Sequence, residues 1–593
     1  MQRRDWLQAC SALATPALAA PALASPRKRL RVALDVPETG FDPPRVSDRS
    51  SVTINAHIFE SPLTYDYLAR PTLLRTQTAA SLPEISADFR HFVFTLRPGI
   101  FFADDDAFGG QPRELVAADY VYSIKRYYDP QLPSEHLHLF ESAGILGLKA
   151  LREAARTAGR ALDYDRPVAG LRALDRYRFE VRLAEPAPRF AYLFAVPGLT
   201  GALAREVVER YGDALPAHPV GTGPFRLKQW RRGSMVLLER NPRFREQRFD
   251  SVAPPDDPQA QALEQRLRGK RLPLVDEVEL NIVQEEQPRW LAFHGGEHDV
   301  LELPQGLAPA ALPGGQLAPY LAQRGIRARS TLDATVRQTF FNCTDPDIGG
   351  LTPERVALRR AICLAFDNRL ELDRVFKNQG LAAQSLLVPG VYGYDASLRS
   401  EAGSGDLARA RALLDVYGYR DVDGDGFREH PDGRPLTLRM SGLAGDSRQR
   451  VINELWLKQM RLLGLRMRFE LGQFGELIKN SLNGRLMMWS FAWSTSLPDA
   501  DFFLALGYGP NAGQANDARF ALPAFDRLYE SQRQLPDGPE RLAQIRQAQR
   551  LMMAYAPYLA HSHALRTDLT QARVYGYQRH PFTRDWWRFT GLD

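Results

Sequence analysis

Short runs rich in β-branched and aromatic residues alternate along the chain with longer stretches whose apolar positions recur every three to four residues. The runs predict strands at 30–34, 92–96 (closed by Pro98-Gly99), 177–183 and 235–239. The helical spacing predicts helices at 117–127, at 351–376 with Pro353 near its start, and at 453–463, stopped by Gly464. Strands and helices interleaved in this way predict an α/β fold. Two stretches break the rhythm. Residues 249–272, with Pro254-Pro255 and several Asp and Gln, predict a surface excursion, and 145–166 are polar and helix-prone.

The first 24 residues follow a different pattern. Arg3 and Arg4 precede an Ala-rich apolar stretch that ends Ala22-Leu23-Ala24 before Ser25-Pro26. Charge, short apolar run and small-residue site in that order predict a signal peptide, 1–24, cleaved after Ala24. Pro16, Pro21 and the short length exclude a spanning helix. The string Arg3-Arg4-Asp5-Trp6-Leu7-Gln8 resembles a twin-arginine export signal, and the general secretory route stays open beside it. Cys10 follows the charges too closely for lipidation, which needs a longer apolar run.

Composition adds limits. The 593 residues hold two to four folding units on a scale of about 150 residues each. Lys+Arg (76) and Asp+Glu (70) are mixed, for a net charge of +6, and no basic run interleaves with aromatics, so a nucleic-acid footprint is missing. Beyond the leader only Cys343 and Cys363 remain; a bridge and two free thiols are both open.

Several motifs then act together. They are Pro219-Val220-Gly221-Thr222-Gly223-Pro224-Phe225 with Trp230 and Leu238-Glu239-Arg240-Asn241-Pro242, the helix motif at 117–126, and Gly296-Glu297-His298-Asp299-Val300. Leu358-Arg359-Arg360-Ala361-Ile362 through Asp367-Asn368-Arg369, and the segments 408–418 and 423–438, complete the set. Together they resemble the family 5 extracellular solute-binding proteins, the dipeptide-, oligopeptide- and nickel-type receptors of ABC importers. The resemblance implies an α/β, two-lobed, hinge-closing periplasmic binding protein (type II) with an extra α/β domain on the first lobe. Lobe I would take 25–55, 218–335 and 563–593, the extra domain 56–217, and lobe II 336–562. It implies no enzyme and no cofactor. Its partners would be a peptide or peptide-like solute held between the lobes and a permease of the inner membrane, and the receptor itself would be monomeric. The motif itself reads as architecture: Gly221 and Gly223 permit a tight turn and Pro224 fixes φ before the next strand. The family segments 40–43 and 59–63 read as structural too.

Ligand contacts are expected in the segment 489–503. Peptide-binding members carry a Trp followed three residues later by an Asp that pairs with the peptide ammonium. Here the third residue after Trp493 is Ser496, while Phe503 keeps the register. Ser490 stands where oligopeptide receptors have Arg. The candidate ligand contacts are Trp489, Trp493, Ser496, Asp499 and Asp501. Asp499 either replaces the missing acid or serves as a Pro-Asp turn residue, and Trp493 is either a cleft platform or core. A non-peptide ligand (metal chelate, haem, glycoside or opine) is the alternative.

Two metal patterns complete the reading. Asp421, Asp423, Asp425 and Asp432, with Glu429, partly fit a calcium loop, against a bare hairpin turn. His294, Glu297 and His298 fit an inverted zinc-hydrolase string, but Gly295-Gly296 between them disfavours the helix that such a site needs. His561-x-His563 lies on a predicted strand, with no further ligand pattern around it.

Overall fold

The computed structural model describes residues 27–445 and 447–593. The predicted signal peptide, its twin-arginine string and Cys10 lie outside the described residues.

One eleven-stranded sheet runs through the molecule. From one edge its strands are Arg466–Gly472, Thr437–Leu443, Met488–Ser494, Arg327–Phe341, Tyr558–Thr570, Val300–Glu302, Arg29–Leu34, Glu277–Ile282, Met235–Arg240 and Phe225–Arg231; Gly380–Ala382 also pairs with Tyr558–Thr570. Two long antiparallel strands, of 15 and 13 residues, carry the chain from one half to the other. Their first stretch, Arg327 to Leu332 against Thr570 to Leu565, lies beside Val300–Glu302. After a register shift between Leu332 and Val336, the same strand pairs on its other edge with Met488–Ser494. Such an irregularity bends a ladder, and here it lies where the sheet leaves one half for the other.

Each half has its own core. Leu30, Ile54, Phe225, Leu280 and Trp587 centre one, and Phe341, Ile362, Trp456, Met488 and Leu559 the other. A separate four-stranded sheet, Glu84–Ile85, His91–Thr95, Arg178–Arg182 and Leu171–Ala173 in that order, is backed by the helix Ala117–Tyr127. Its core holds Phe94 stacked on Phe179 at 4.8 Å, and Phe92, Tyr120 and Phe194.

Most predicted elements appear within a residue or two. The stretch 351–376 does not form one helix. It breaks at extended Phe366, and the Asp367 carboxylate accepts from the backbone N–H groups of Arg369 and Leu370 to start a second helix, Asn368–Arg374. Residues 249–272 are no solvated excursion either. Asp257 caps a helix, Pro258–Leu267, and Phe249, Leu267 and Leu272 are buried in the first core. The 3–4 spacing of Ala260, Leu263 and Leu267 carried that signal beneath the Pro and Asp content. Among the described residues no helix is long and apolar enough to cross a membrane.

Candidate functional site: a cationic cavity between the two halves

A cavity of about 730 Å³ opens at the crossing of the two long strands. Small-molecule sites occupy roughly 300–1,000 Å³, so it is of the size for a solute. One half contributes the end of the first strand, Val32 to Asp35, together with Arg49 and Glu302. The other contributes Lys377, Gln379, Arg448 and Ala492, and the long strands supply Arg337 and Arg566.

Its charge is one-sided. Eight Arg and Lys377 line it, against four acids: Asp35, Glu286, Glu302 and Asp568. Glu302 accepts from Arg49 and Arg566 at 3.0 Å and from Arg579 at 2.9 Å. Burial alone would raise its pKa, but the guanidiniums of Arg579, Arg49 and Arg566 override burial and hold the carboxyl well below its usual range. Asp568 pairs with Arg579 at 2.6 Å, and Asp35 with Arg49. Arg337 has no such partner. It donates to the Ser562 Oγ at 3.1 Å and the Gln379 carbonyl at 3.4 Å, and lies 3.9 Å over the Phe376 ring. Burial, with repulsion from Arg566 behind it, lowers its pKa to about 10.

The five predicted contact residues lie elsewhere. On Met488–Ser494 side chains alternate between faces, and Ala492 faces the cavity while Trp489 and Trp493 do not line it. Trp489 is buried and stacks on Phe491 at 4.7 Å. Trp493 donates its Nε1–H to Asp517 at 3.1 Å and meets Phe502 edge-on. The Ser496 carbonyl accepts from the Tyr65 hydroxyl at 3.2 Å. Asp499 is buried and bound bidentately by Arg541 at 2.6 and 2.7 Å, with Arg189 3.8 Å away. Asp501 accepts from Gln532 at 2.9 Å and lies 3.4 Å from Arg533. The segment therefore ties structure together around Asp499. The cavity residues Arg337, Arg566, Arg579 and Arg584 are not among those the sequence singled out. Their signal was an isolated Arg within a buried stretch, as in Val336-Arg337-Gln338.

The metal patterns separate as well. Among the described residues, Asp421, Asp423 and Glu429 are the one acidic or His/Cys group whose ligand atoms all lie within 4.8 Å of one another. Asp425 pairs with Arg466, and Asp432 with Arg434 at 2.9 Å. Asp421 accepts from the backbone of Gly424 at 2.7 Å and Gly426 at 2.9 Å, and Glu429 from Val422 at 2.8 Å, so these carboxylates hold the turn itself. His294, Glu297 and His298 do not converge. The helix ends at His294, Gly296 has φ +77°, and His294 Nδ1 sits 3.1 Å from Arg324. Cys343 and Cys363 are free thiols.

The sequence model described as "Bacterial extracellular solute-binding proteins, family 5 Middle" matches residues 74–515. The chain belongs to this family. Di/tripeptide-binding protein 2 of Pseudomonas aeruginosa is 26% identical over 94% of this chain and 93% of its own length. Heme-binding protein A of Haemophilus influenzae is 23% identical over 85% and 81%. Among solved structures, the Helicobacter pylori periplasmic binding protein DppA in complex with the peptide STSA superposes with a TM-score of 0.69. It is 18% identical and covers 95% of this chain and 98% of its own. HbpA2 of Haemophilus parasuis gives 0.72, also at 18%, covering 95% and 100%. These likenesses show the two-lobed α/β fold of periplasmic binding proteins.

The family 5 motif has a physical reason different from the turn expected of it. Neither Gly221 nor Gly223 has a left-handed φ. A Cβ on Gly221 would lie 2.0 Å from the Ile58 carbonyl oxygen, and one on Gly223 2.6 Å from that of His57. The glycines let the loop press against the end of the helix Arg49–Ile58, where the Gly223 N–H donates to Ile58 at 2.8 Å. Between them Thr222 reaches Glu60 at 3.1 Å. Glu60 is fully buried; Arg245 at 2.7 Å overcomes the desolvation and keeps it below the carboxylate range.

Proposed function

We propose that the chain is the substrate-binding receptor of an ABC importer. It captures a peptide or peptide-like solute between its two halves and delivers it to a permease of the inner membrane. The observation that carries this reading is the cavity lined from both halves of one family 5 sheet. The di/tripeptide-binding relative supports the ligand class. The lobes follow the division at 25–55, 218–335 and 563–593 for lobe I, 56–217 for the extra domain and 336–562 for lobe II, and they close about the irregular step between Leu332 and Val336. Export through the 1–24 signal peptide to the periplasm completes the reading, with the twin-arginine pair as the route signal. Binding closes the lobes over the ligand. Small-angle scattering with and without a broad panel of peptides and peptide-like solutes tests this: a smaller radius of gyration is expected with a bound ligand, and an unchanged profile for every bound solute refutes it.

A second ligand class has a specific observation in its favour. If the ligand does reach the segment 489–503, Ser496 offers no charge there and Asp499 is held by Arg541, so neither is free for a peptide ammonium. A solute without an α-amine fits that arrangement. If Ser496→Asp creates dipeptide affinity that the native protein lacks, the native ligand is not a plain peptide.

A further inference from the structure

Burying a guanidinium without a counter-ion costs several kcal/mol, so one that lines a cavity without a carboxylate is a candidate anion site. Three guanidiniums on the cavity wall lack a carboxylate among the described residues: Arg289, which is satisfied by the Val283 and Gln284 carbonyls at 2.7 Å, and Arg337 and Arg584, which are less well served. Arg337 touches only a hydroxyl, a carbonyl and an aromatic ring. The Arg584 guanidinium has no hydrogen bond and no carboxylate at ion-pairing distance among the described residues. The charges of Asp333 and Glu302 reach it only through space, and burial lowers its pKa to about 10. The nearest acids are engaged elsewhere: Glu302 holds Arg49, Arg566 and Arg579, Asp568 holds Arg579, Asp333 holds Arg566 at 3.1 Å, and Glu371, whose charge reaches Arg337 through space, lies 3.0 Å from His561. Lys377, exposed at the cavity mouth, adds a further cation and donates to the Arg374 carbonyl. The cavity thus presents, on more than one face, guanidiniums with no carboxylate beside them.

We propose that the cavity selects solutes of net negative charge bearing at least two acidic groups, one seated against Arg337 and one against Arg584. A planar guanidinium meets a carboxylate with two parallel N–H bonds, so each site fixes orientation as well as charge. This rests on the receptor reading above and narrows its ligand.

The test is calorimetric titration of the full mature protein with three probes at low salt. N-acetyl-Glu-Glu carries three carboxylates and no amine, trialanine is a zwitterion, and Ala-Lys is a net cation. N-acetyl-Glu-Glu is expected to bind at least about tenfold tighter than the other two. Arg337→Gln and Arg584→Gln should each weaken it about 30-fold, as loss of one partner of a buried charge pair does. The same two variants, without ligand, should melt at or above the native temperature, because each removes an uncompensated charge. Trialanine binding as tightly as N-acetyl-Glu-Glu overturns the charge selection while leaving the receptor intact. Variants that melt lower yet bind N-acetyl-Glu-Glu undiminished overturn the two assignments. Absence of binding by all three probes overturns the proposal, and if the scattering panel also shows no closure the receptor reading falls with it.

Discussion

Replacing Arg541 by Met separates the two roles open to Asp499. Arg541 is fully buried, and it holds both oxygens of Asp499, which is 7% exposed, at 2.6 and 2.7 Å. Breaking a buried pair by removing one partner costs about 3–5 kcal/mol, since the other charge stays buried. Here Arg189 lies 3.8 Å from the same carboxylate and softens the loss, so the expected cost is near the lower end, about 3 kcal/mol. Asp499→Asn should cost less, about 2 kcal/mol, because Arg541 keeps Asp537 at 2.8 Å. The double variant Arg541→Met with Asp499→Leu replaces both charges by apolar groups and should lose less than Arg541→Met alone. The measurement is urea unfolding followed by tryptophan fluorescence, with the four proteins closing a double-mutant cycle. A stability loss below about 0.5 kcal/mol in Asp499→Asn, joined to a collapse of ligand affinity, would make Asp499 a ligand anchor and refute the structural role.

The remaining predictions are shorter. Asp517, which accepts from Ser481 at 2.8 Å and Trp493 at 3.1 Å, is pushed by burial up to about 6, against 3.8 ordinarily. A folded-state pKa above the unfolded one favours the folded protein below pH 4, and that contribution disappears as pH rises through 6. Asp517→Asn should therefore be the more stable protein at pH 7, by up to about 2–3 kcal/mol, and lose that advantage towards pH 4. His563, which burial lowers to about 4, acts in the opposite sense across the same window, so the difference between the two proteins is the quantity to measure by urea unfolding at each pH. Gly221→Ala drives a Cβ into the Ile58 carbonyl and should cost at least about 1–3 kcal/mol. Gly475→Ala, inside a helix with open space around it, should be neutral or gain up to about 1 kcal/mol; thermal melting compares the two. Asp421→Ala frees the amides of Gly424 and Gly426 and should lower the melting temperature slightly and equally with and without calcium; a calcium-dependent difference would mean that the loop binds the ion.

The sequence carried the fold further than the site, and the reason is range. Strands such as Arg29–Leu34 and helices such as Ala117–Tyr127 are set by apolar alternation and spacing within a few residues, which can be read directly. The role of Gly221 depends on a carbonyl 163 positions earlier, and that of Asp499 on Arg541, 42 positions later; nothing local announces either contact. Segment 489–503 has residue types that suit a ligand platform, and the structure adds what the sequence does not show, that Asp499 and Asp501 are paired within the protein. Charge was legible only as a sum. Residues 1–24 hold Arg3, Arg4 and Asp5, so the +6 of the whole chain is +5 for residues 25–593. Nine cations less four acids on the cavity wall is also +5. A net charge that looked like a uniformly solvated surface equals the excess gathered in one cleft, with the rest of the protein close to balance. Folding did not create that charge; it gathered it around one cleft, where the half-buried guanidiniums of Arg337 and Arg584 are the members that an anion would stabilise most.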